Sequence, residues 1–257
     1  VAEPRILLFD IESLPNLDAA LSVWPQLSNY PGQTLRASIN SVLCIGWKIY
    51  GEDKVHCIKA WDFPEWKDDV NNDKKVVEEF QKIVVEADCV IGHNSKRFDW
   101  PFIQTRLRKY DLPPMPNVHH VDTCAEVKRN LFLFNNRLNT VAKFLTDVEK
   151  MEHEGWDLWV KAHGGDREAL KTMEEYCKKD VIVLEEVFRK LRPVIQSLPN
   201  FNLFSENDKI ACPNCGSTRL VSNGNRFTST KCYKRYICKD CRTWSRTDIK
   251  DEFPRKI

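Results

Sequence analysis

The chain has 257 residues, enough to bury a sizeable core in one large domain or in a large and a small one. Its 42% hydrophobic and 30% charged residues argue against a disordered or fibrous chain, and no apolar run approaches the roughly 20 residues of a membrane span. The net charge of +2 conceals a division: residues 205–257 carry 12 Lys/Arg and 6 Asp/Glu, whereas residues 1–204 carry 27 and 31, so a basic tail follows an acidic body.

Val1-Ala2-Glu3-Pro4-Arg5 leads straight into an apolar run without a signal-peptide layout, so a cytoplasmic location is expected, with no membrane partner. Arg5 to Ile11 is bulky enough for a buried strand, and the prolines from Pro15 to Pro31 predict a loop from Ser13 to about Ala37. Ile39 to Tyr50 and Lys54 to Trp61 read as the strands of a hairpin turning at Gly51-Glu52-Asp53. Asp73 to Glu86 predicts a helix, with Val76, Val77, Phe80, Ile83 and Val84 along one face. A strand at Cys89-Val90-Ile91-Gly92 and a helix from Pro101 to Lys109 follow, then a short strand at Val118 to Val121. Helices are expected around 123–131, 137–145 and 167–191, the last stopping before Pro193. Early strands followed by strand–helix alternation predict an α/β fold, a mixed five-stranded sheet flanked by helices. Pro199 to Asn207 is polar and weakly patterned, which divides the chain into domains 1–204 and 205–257.

Three acidic motifs lie in the body. Asp10 and Glu12 are two residues apart on a strand and project to one face, and two like charges held together are costly unless a cation joins them. A solvated strand end is the ordinary alternative. Asp99 closes Gly92-His93-Asn94-Ser95-Lys96-Arg97-Phe98-Asp99, where capping the next helix is the alternative role. Tyr176 and Asp180 are four apart on a helix and share a face.

Taken in order, D-x-E, N-x-x-x-F-D and Y-x-x-x-D resemble the DEDD superfamily of proofreading-type 3′→5′ exonucleases, the DnaQ-like group of the RNase H-like fold. The resemblance covers most of residues 5–190, including Val121-Asp122-Thr123 and Leu138 to Leu145. Tyr176, four before Asp180, is similar to the tyrosine (DEDDy) subtype, since Glu175 stands where the other subtype has histidine. The proline-bearing stretch after Glu12 resembles stand-alone, phage-type members, for which the location is the host cytoplasm. The resemblance implies two Mg²⁺ or Mn²⁺ ions held by Asp10, Glu12, Asp99 and Asp180, and a Tyr176 hydroxyl that orients the attacking water. It makes Asn94 and Phe98 candidate contacts to the terminal nucleotide, with core packing the alternative for Phe98.

Ten cysteines in a chain of this kind suggest metal binding or burial rather than disulfides. Cys44, Cys57, Cys89 and Cys177 lie in apolar stretches and read as small core residues. Cys212-x₂-Cys215 and Cys238-x₂-Cys241 have the spacing of a Cys₄ zinc site, one structural Zn²⁺, and with Tyr236 and Trp244 resemble a transposase-associated zinc ribbon. Cys232 reads as a bystander. Basic residues from Arg219 to Arg246 alternate with Phe227, Tyr233, Tyr236 and Trp244, which favours nucleic-acid binding over a purely stabilising role.

The leading expectation is a metal-dependent 3′→5′ exonuclease with a zinc-ribbon arm, its partner nucleic acid, with DNA favoured over RNA and single strands over duplex. The alternatives are a structure-selective RNase H-like endonuclease and a catalytically idle nucleic-acid-binding or regulatory protein. No polymerase-sized region follows, so a polymerase or replication partner is expected in trans.

Overall fold

The computed structural model describes residues 4–14, 40–151, 155–200 and 210–248. They form two compact units, one from Arg5 to Arg189 and one taking in the chain from Lys190 onward. The expected loop after Ser13 falls almost wholly outside the described residues, as does most of the expected linker.

In the first unit β1 (Ile6–Leu14), β2 (Ser41–Ile49), β3 (His56–Lys59), β4 (Cys89–Gly92) and β5 (His119–Asp122) form one sheet in the order β3-β2-β1-β4-β5. The pairs β1–β2 and β2–β3 are antiparallel, β1–β4 and β4–β5 parallel, so the sheet is mixed, as expected. β1 runs past its predicted end: Ser13 and Leu14 pair with Val42 and Ser41 across a bulge that follows Glu12, where a loop was expected. β3 stops two residues early because Ala60–Asp62 tightens into a 3₁₀ turn.

Among the described residues the helices are α1 (Pro64–Asp68), α2 (Lys74–Val85), α3 (Asp99–Lys109), α4 (Thr123–Asn130), α5 (Leu138–Leu145), α6 (Trp156–His163) and α7 (Arg167–Leu191). Leu7, Phe9 and Ile11 of β1 are buried in one core with Val76, Val77, Phe80 and Val84 of α2 and Phe102, Ile103 and Leu107 of α3. Among the described residues no helix is long and apolar enough to cross a membrane.

Two polar devices lock this arrangement. The buried Asp73 carboxylate accepts from Arg106 Nε and Nη2 at 2.8 Å, from the Tyr110 hydroxyl at 2.8 Å and from the Val42 N–H at 2.7 Å. It thereby joins α2, α3 and β2. Asp73→Ala strands a buried guanidinium, and an expected loss of about 3–5 kcal/mol would show as a lowered urea midpoint. A midpoint within error of wild type would mean that the network is dispensable.

The second device seats α7. Glu185 accepts from Lys48 Nζ at 2.5 Å, both side chains being 6% exposed, and from the Gly51 N–H at 2.9 Å. Nearer the helix start, Glu174 pairs with Lys59 at 3.1 Å. Between these anchors the helix lies directly on Gly46: a Cβ there would sit 2.9 Å from the Cys177 carbonyl oxygen. Glycine at 46 is what allows α7 to approach β2 this closely.

The second unit is a three-stranded antiparallel sheet, order β6-β7-β8, from β6 (Leu220–Phe227), β7 (Cys232–Cys238) and β8 (Trp244–Asp248).

Candidate active site and cysteine centre

β1 and α7 bring the first and last acidic motifs together. Asp10 and Glu12 pair across the sheet with Gly46 and Cys44, so their side chains rise on the side that α7 covers. There one carboxylate oxygen each from Asp10, Glu12 and Asp180 lies within 4.8 Å of the others. Asp99 approaches from α3 and accepts from the N–H of Ile11, the residue between Asp10 and Glu12, at 3.3 Å. It is not the cap of its helix: α3 starts at Asp99 itself, with Phe98 in the cap position and no side-chain cap bond.

Such a cluster disfavours its own charge. Burial first, then the Asp180 carboxylate, pushes Glu12 up to about 8 and holds Asp10 well above the carboxylate range. Burial also raises Asp99 to about 7, against the opposing pull of its own N–H and that of Ile11. Hard oxygen donors that resist ionising together suit a divalent cation of the Mg²⁺ or Mn²⁺ kind. With folded-state values above the unfolded ones, the folded chain holds extra protons between about pH 4 and 8. Stability without metal is therefore expected to fall as pH rises through that window, and added Mg²⁺ to oppose the fall. Melting curves from pH 5 to 8, in chelator and in Mg²⁺, check this; parallel profiles would remove the cluster as the cause.

Tyr176 lies one turn before Asp180. Burial and Asp180 push its phenol up to about 12, so the hydroxyl is a hydrogen-bond donor rather than a base at neutral pH. Lys150 was not anticipated. Its ammonium bonds Asp180 and reaches the Tyr176 oxygen at 3.4 Å. Burial opposes its charge, but Asp180 and Asp10 hold it above the usual lysine range. A lysine in the charged stretch 147–152 carries no local signal that would have singled it out.

The turn bearing Asn94 is held by Asp122, which accepts from the N–H groups of Asn94 (2.9 Å), Lys96 (3.1 Å) and Cys124 (2.9 Å) while capping α4. Asn94 adopts φ 62°, and the turn folds back so tightly that a Cβ on Gly92 would sit 2.5 Å from Ser95. Phe98 is half-buried: its ring lies 5.7 Å from that of Phe102 and it packs on the core, so packing accounts for part of its role. Asp122 had a local signal, an aspartate at a helix start.

In the second unit the sulfurs of Cys212, Cys215, Cys238 and Cys241 lie within 4.8 Å of one another, with Cys212–Cys241 at 3.5 Å and Cys215–Cys238 at 3.7 Å. A tetrahedral zinc with bonds of ~2.3 Å needs sulfurs about 3.8 Å apart, so the thiols fit that ion. Gly216 and Arg242, each following the second cysteine of its pair, turn the chain at φ 72° and 63°. Asn214 ties the two knuckles by donating to Thr243 Oγ1 at 2.7 Å and Cys241 Sγ at 3.5 Å. Cys232 stands outside the cluster, as expected.

A mixed β3-β2-β1-β4-β5 sheet with carboxylates gathered at its central strand defines the RNase H class. The chain belongs to the RNase H superfamily: the superfamily's sequence model matches residues 33–192, a span that includes Asp99, Tyr176 and Asp180 but starts after Asp10 and Glu12. Residues 196–244 match the PaaD zinc beta ribbon domain, which replaces the transposase-associated ribbon as the matched type. A DNA polymerase of Orgyia pseudotsugata multicapsid polyhedrosis virus is 25% identical over 179 residues, 58% of this chain and 18% of that protein. A DNA polymerase of Archaeoglobus fulgidus is 22% identical over 143 residues, 48% of this chain and 18% of its own length. The chain thus spans less than a fifth of these relatives. The family B DNA polymerase structure from Pyrobaculum calidifontis shares the fold with a TM-score of 0.50 at 16% identity, over 76% of this chain and 26% of that one.

Proposed function

We propose that this chain is a divalent-metal-dependent 3′→5′ exonuclease of the tyrosine subtype, with residues 1–204 as nuclease and residues 205–257 as a nucleic-acid-binding zinc ribbon. The observation that carries the reading is the meeting of Asp10, Glu12 and Asp180 within 4.8 Å, with Asp99 bonded between the first two and Tyr176 one turn from the last. Bound Mg²⁺ or Mn²⁺ supplies Lewis acidity to the attacking water and the leaving 3′ oxygen. The four carboxylates hold the ions. The Tyr176 hydroxyl, kept protonated, orients the attacking water by donating a hydrogen bond. Lys150, beside Tyr176 and Asp180, offsets negative charge where the phosphate arrives. Asn94 and the open part of Phe98 meet the terminal nucleotide.

Relatives named as DNA polymerases favour DNA over RNA as substrate, and a polymerase or replication protein as partner. Single strands are preferred because the ribbon offers stacking surfaces. Cross-strand pairing puts Arg226, Tyr233, Arg235, Trp244 and Arg246 on one face of the ribbon. There Arg246 lies 4.2 Å over the Tyr233 ring and Arg235 5.4 Å over Trp244. Arg219, by contrast, is engaged by Asp240 at 2.6 Å.

The test is cleavage of 5′-labelled DNA and RNA strands in Mg²⁺, Mn²⁺ or chelator. A metal-dependent ladder of shortening products supports the proposal; one internal cut would make the chain an endonuclease, and retention without cleavage a binding protein. Tyr176→Phe is expected to slow single-turnover cleavage about 10- to 100-fold, the worth of one hydrogen bond in the transition state, while leaving strand affinity unchanged. An unaltered single-turnover rate would remove the tyrosine from the chemistry.

A further inference from the structure

Cys44, Cys57, Cys89 and Cys177 read from the sequence as ordinary core residues, and for Cys89 that reading suffices; Cys124 is buried likewise. The sulfurs of Cys89 and Cys124 lie against the backbone carbonyls of Val90 and Asn136 and apart from the other cysteines' cluster. The other three converge. Cys44 on β2 stands opposite Glu12, and Cys57 on β3 stands opposite Gly46, so both project to the side that α7 covers. Cys177 descends onto them from α7 at the close approach that Gly46 permits, and its sulfur accepts from the Gly46 N–H at 3.1 Å. All three sulfurs lie within 4.8 Å of one another. Cys44 and Cys177 are buried, whereas Cys57 is half-buried, which corrects its reading as a core residue.

We infer that Cys44, Cys57 and Cys177 form a second thiolate site, one that takes a thiophilic d¹⁰ cation such as Zn²⁺ or Cd²⁺. Soft sulfur donors select such ions over Mg²⁺, and three sulfurs at this spacing can surround one ion with bonds of ~2.3 Å and leave a position open. Cys57, the half-buried member, puts the open position toward solvent, where water completes a tetrahedron. Because each ligand comes from a different element, β pairing and helix packing hold the donors in place before the ion arrives. The charged groups around the trio are of both signs. Burial holds Glu12 largely uncharged and Glu174 is engaged by Lys59 at 3.1 Å and Lys178 at 2.5 Å, so the three sulfurs rather than the neighbouring charges supply the attraction for the cation. An ion here would pin α7 to the sheet beside the carboxylates, since the Cys177 sulfur lies 3.7 Å from the Asp10 carbonyl oxygen. The binding inference does not depend on the nuclease reading.

The test is a Cd²⁺ titration of the full, phosphine-reduced and metal-stripped chain in excess Mg²⁺, followed by thiolate-to-metal charge-transfer absorbance. Two thiolate-bound ions per chain are expected in the wild type. Cys57→Ser and Cys44→Ala should each bind one and lose the trio's share of the band, with far-ultraviolet circular dichroism unchanged. The double variant Cys212→Ser/Cys215→Ser should also bind one, now at the trio. One thiolate-bound ion in the wild type, or two in Cys57→Ser and Cys44→Ala alike, would overturn the site. Using two trio variants separates loss of a ligand from misfolding of either protein.

Discussion

Asp10→Asn is expected to lower single-turnover cleavage by about three orders of magnitude, the equivalent of several kcal/mol of transition-state stabilisation that a correctly held metal supplies. The same change should not harm the metal-free fold. Burial and the charges of Asp180, Asp99 and Glu12 all disfavour ionised Asp10, so a neutral amide of the same shape relieves repulsion. Thermal melts then distinguish two causes of lost activity. In chelator the variant should melt at or above the wild-type temperature. In Mg²⁺ the wild type should gain stability and the variant little, because binding to the folded state alone stabilises it by mass action. A variant that cleaves at the wild-type rate would refute the carboxylate assignment. One that loses activity and melts early in chelator would show that Asp10 serves packing instead.

How much of this was legible in the sequence depends on the range over which each signal acts. The two-residue spacing of Asp10 and Glu12 and the four-residue spacing of Tyr176 and Asp180 are local, and strand and helix geometry alone put each pair on one face. The runs that became β4, α2 and α7 were readable for the same reason, their apolar periodicity being long or unbroken. The short helix α6 was missed. Among its described side chains only Leu158 and Ala162 are buried, a single spaced pair too short to mark a periodic apolar face. The extension of β1 to Leu14 depends on pairing with β2 across a bulge, which no property of Ser13 announces. The site residues that were overlooked share one feature: their partners are distant in the chain. Lys150 acquires a role only because Asp180 and Tyr176 lie beside it, Gly46 only because α7 presses on it, and the three cysteines only because β2, β3 and α7 meet.

Cys238→Ser is expected to have the other large effect, confined to the second unit. β6 and β7 offer this unit little apolar interior: β6 is exposed along nearly all its length, and the cysteines themselves are among its few buried side chains. A module this small cannot offset its chain entropy by burial, so a zinc held by the four thiols would be its main source of folding free energy. Removing one thiolate should therefore release the ion and unfold β6 to β8, seen as lost zinc and rapid amide exchange over residues 220–248. The Asp73–Arg106 network lies wholly within the first unit, so the melting of that unit should not change. Loss of the face bearing Arg226, Arg235 and Arg246 should weaken single-strand binding. It should also flatten the dependence of log affinity on log salt by about 2, at about 0.7 for each phosphate that an arginine no longer neutralises. Arg219 adds nothing to that figure, being held by Asp240. Cleavage at saturating DNA should stay near the wild-type rate, because the carboxylates lie in the first unit. If zinc is lost while affinity and salt slope keep their wild-type values, the ribbon serves a protein partner, and strand binding belongs to the nuclease unit alone.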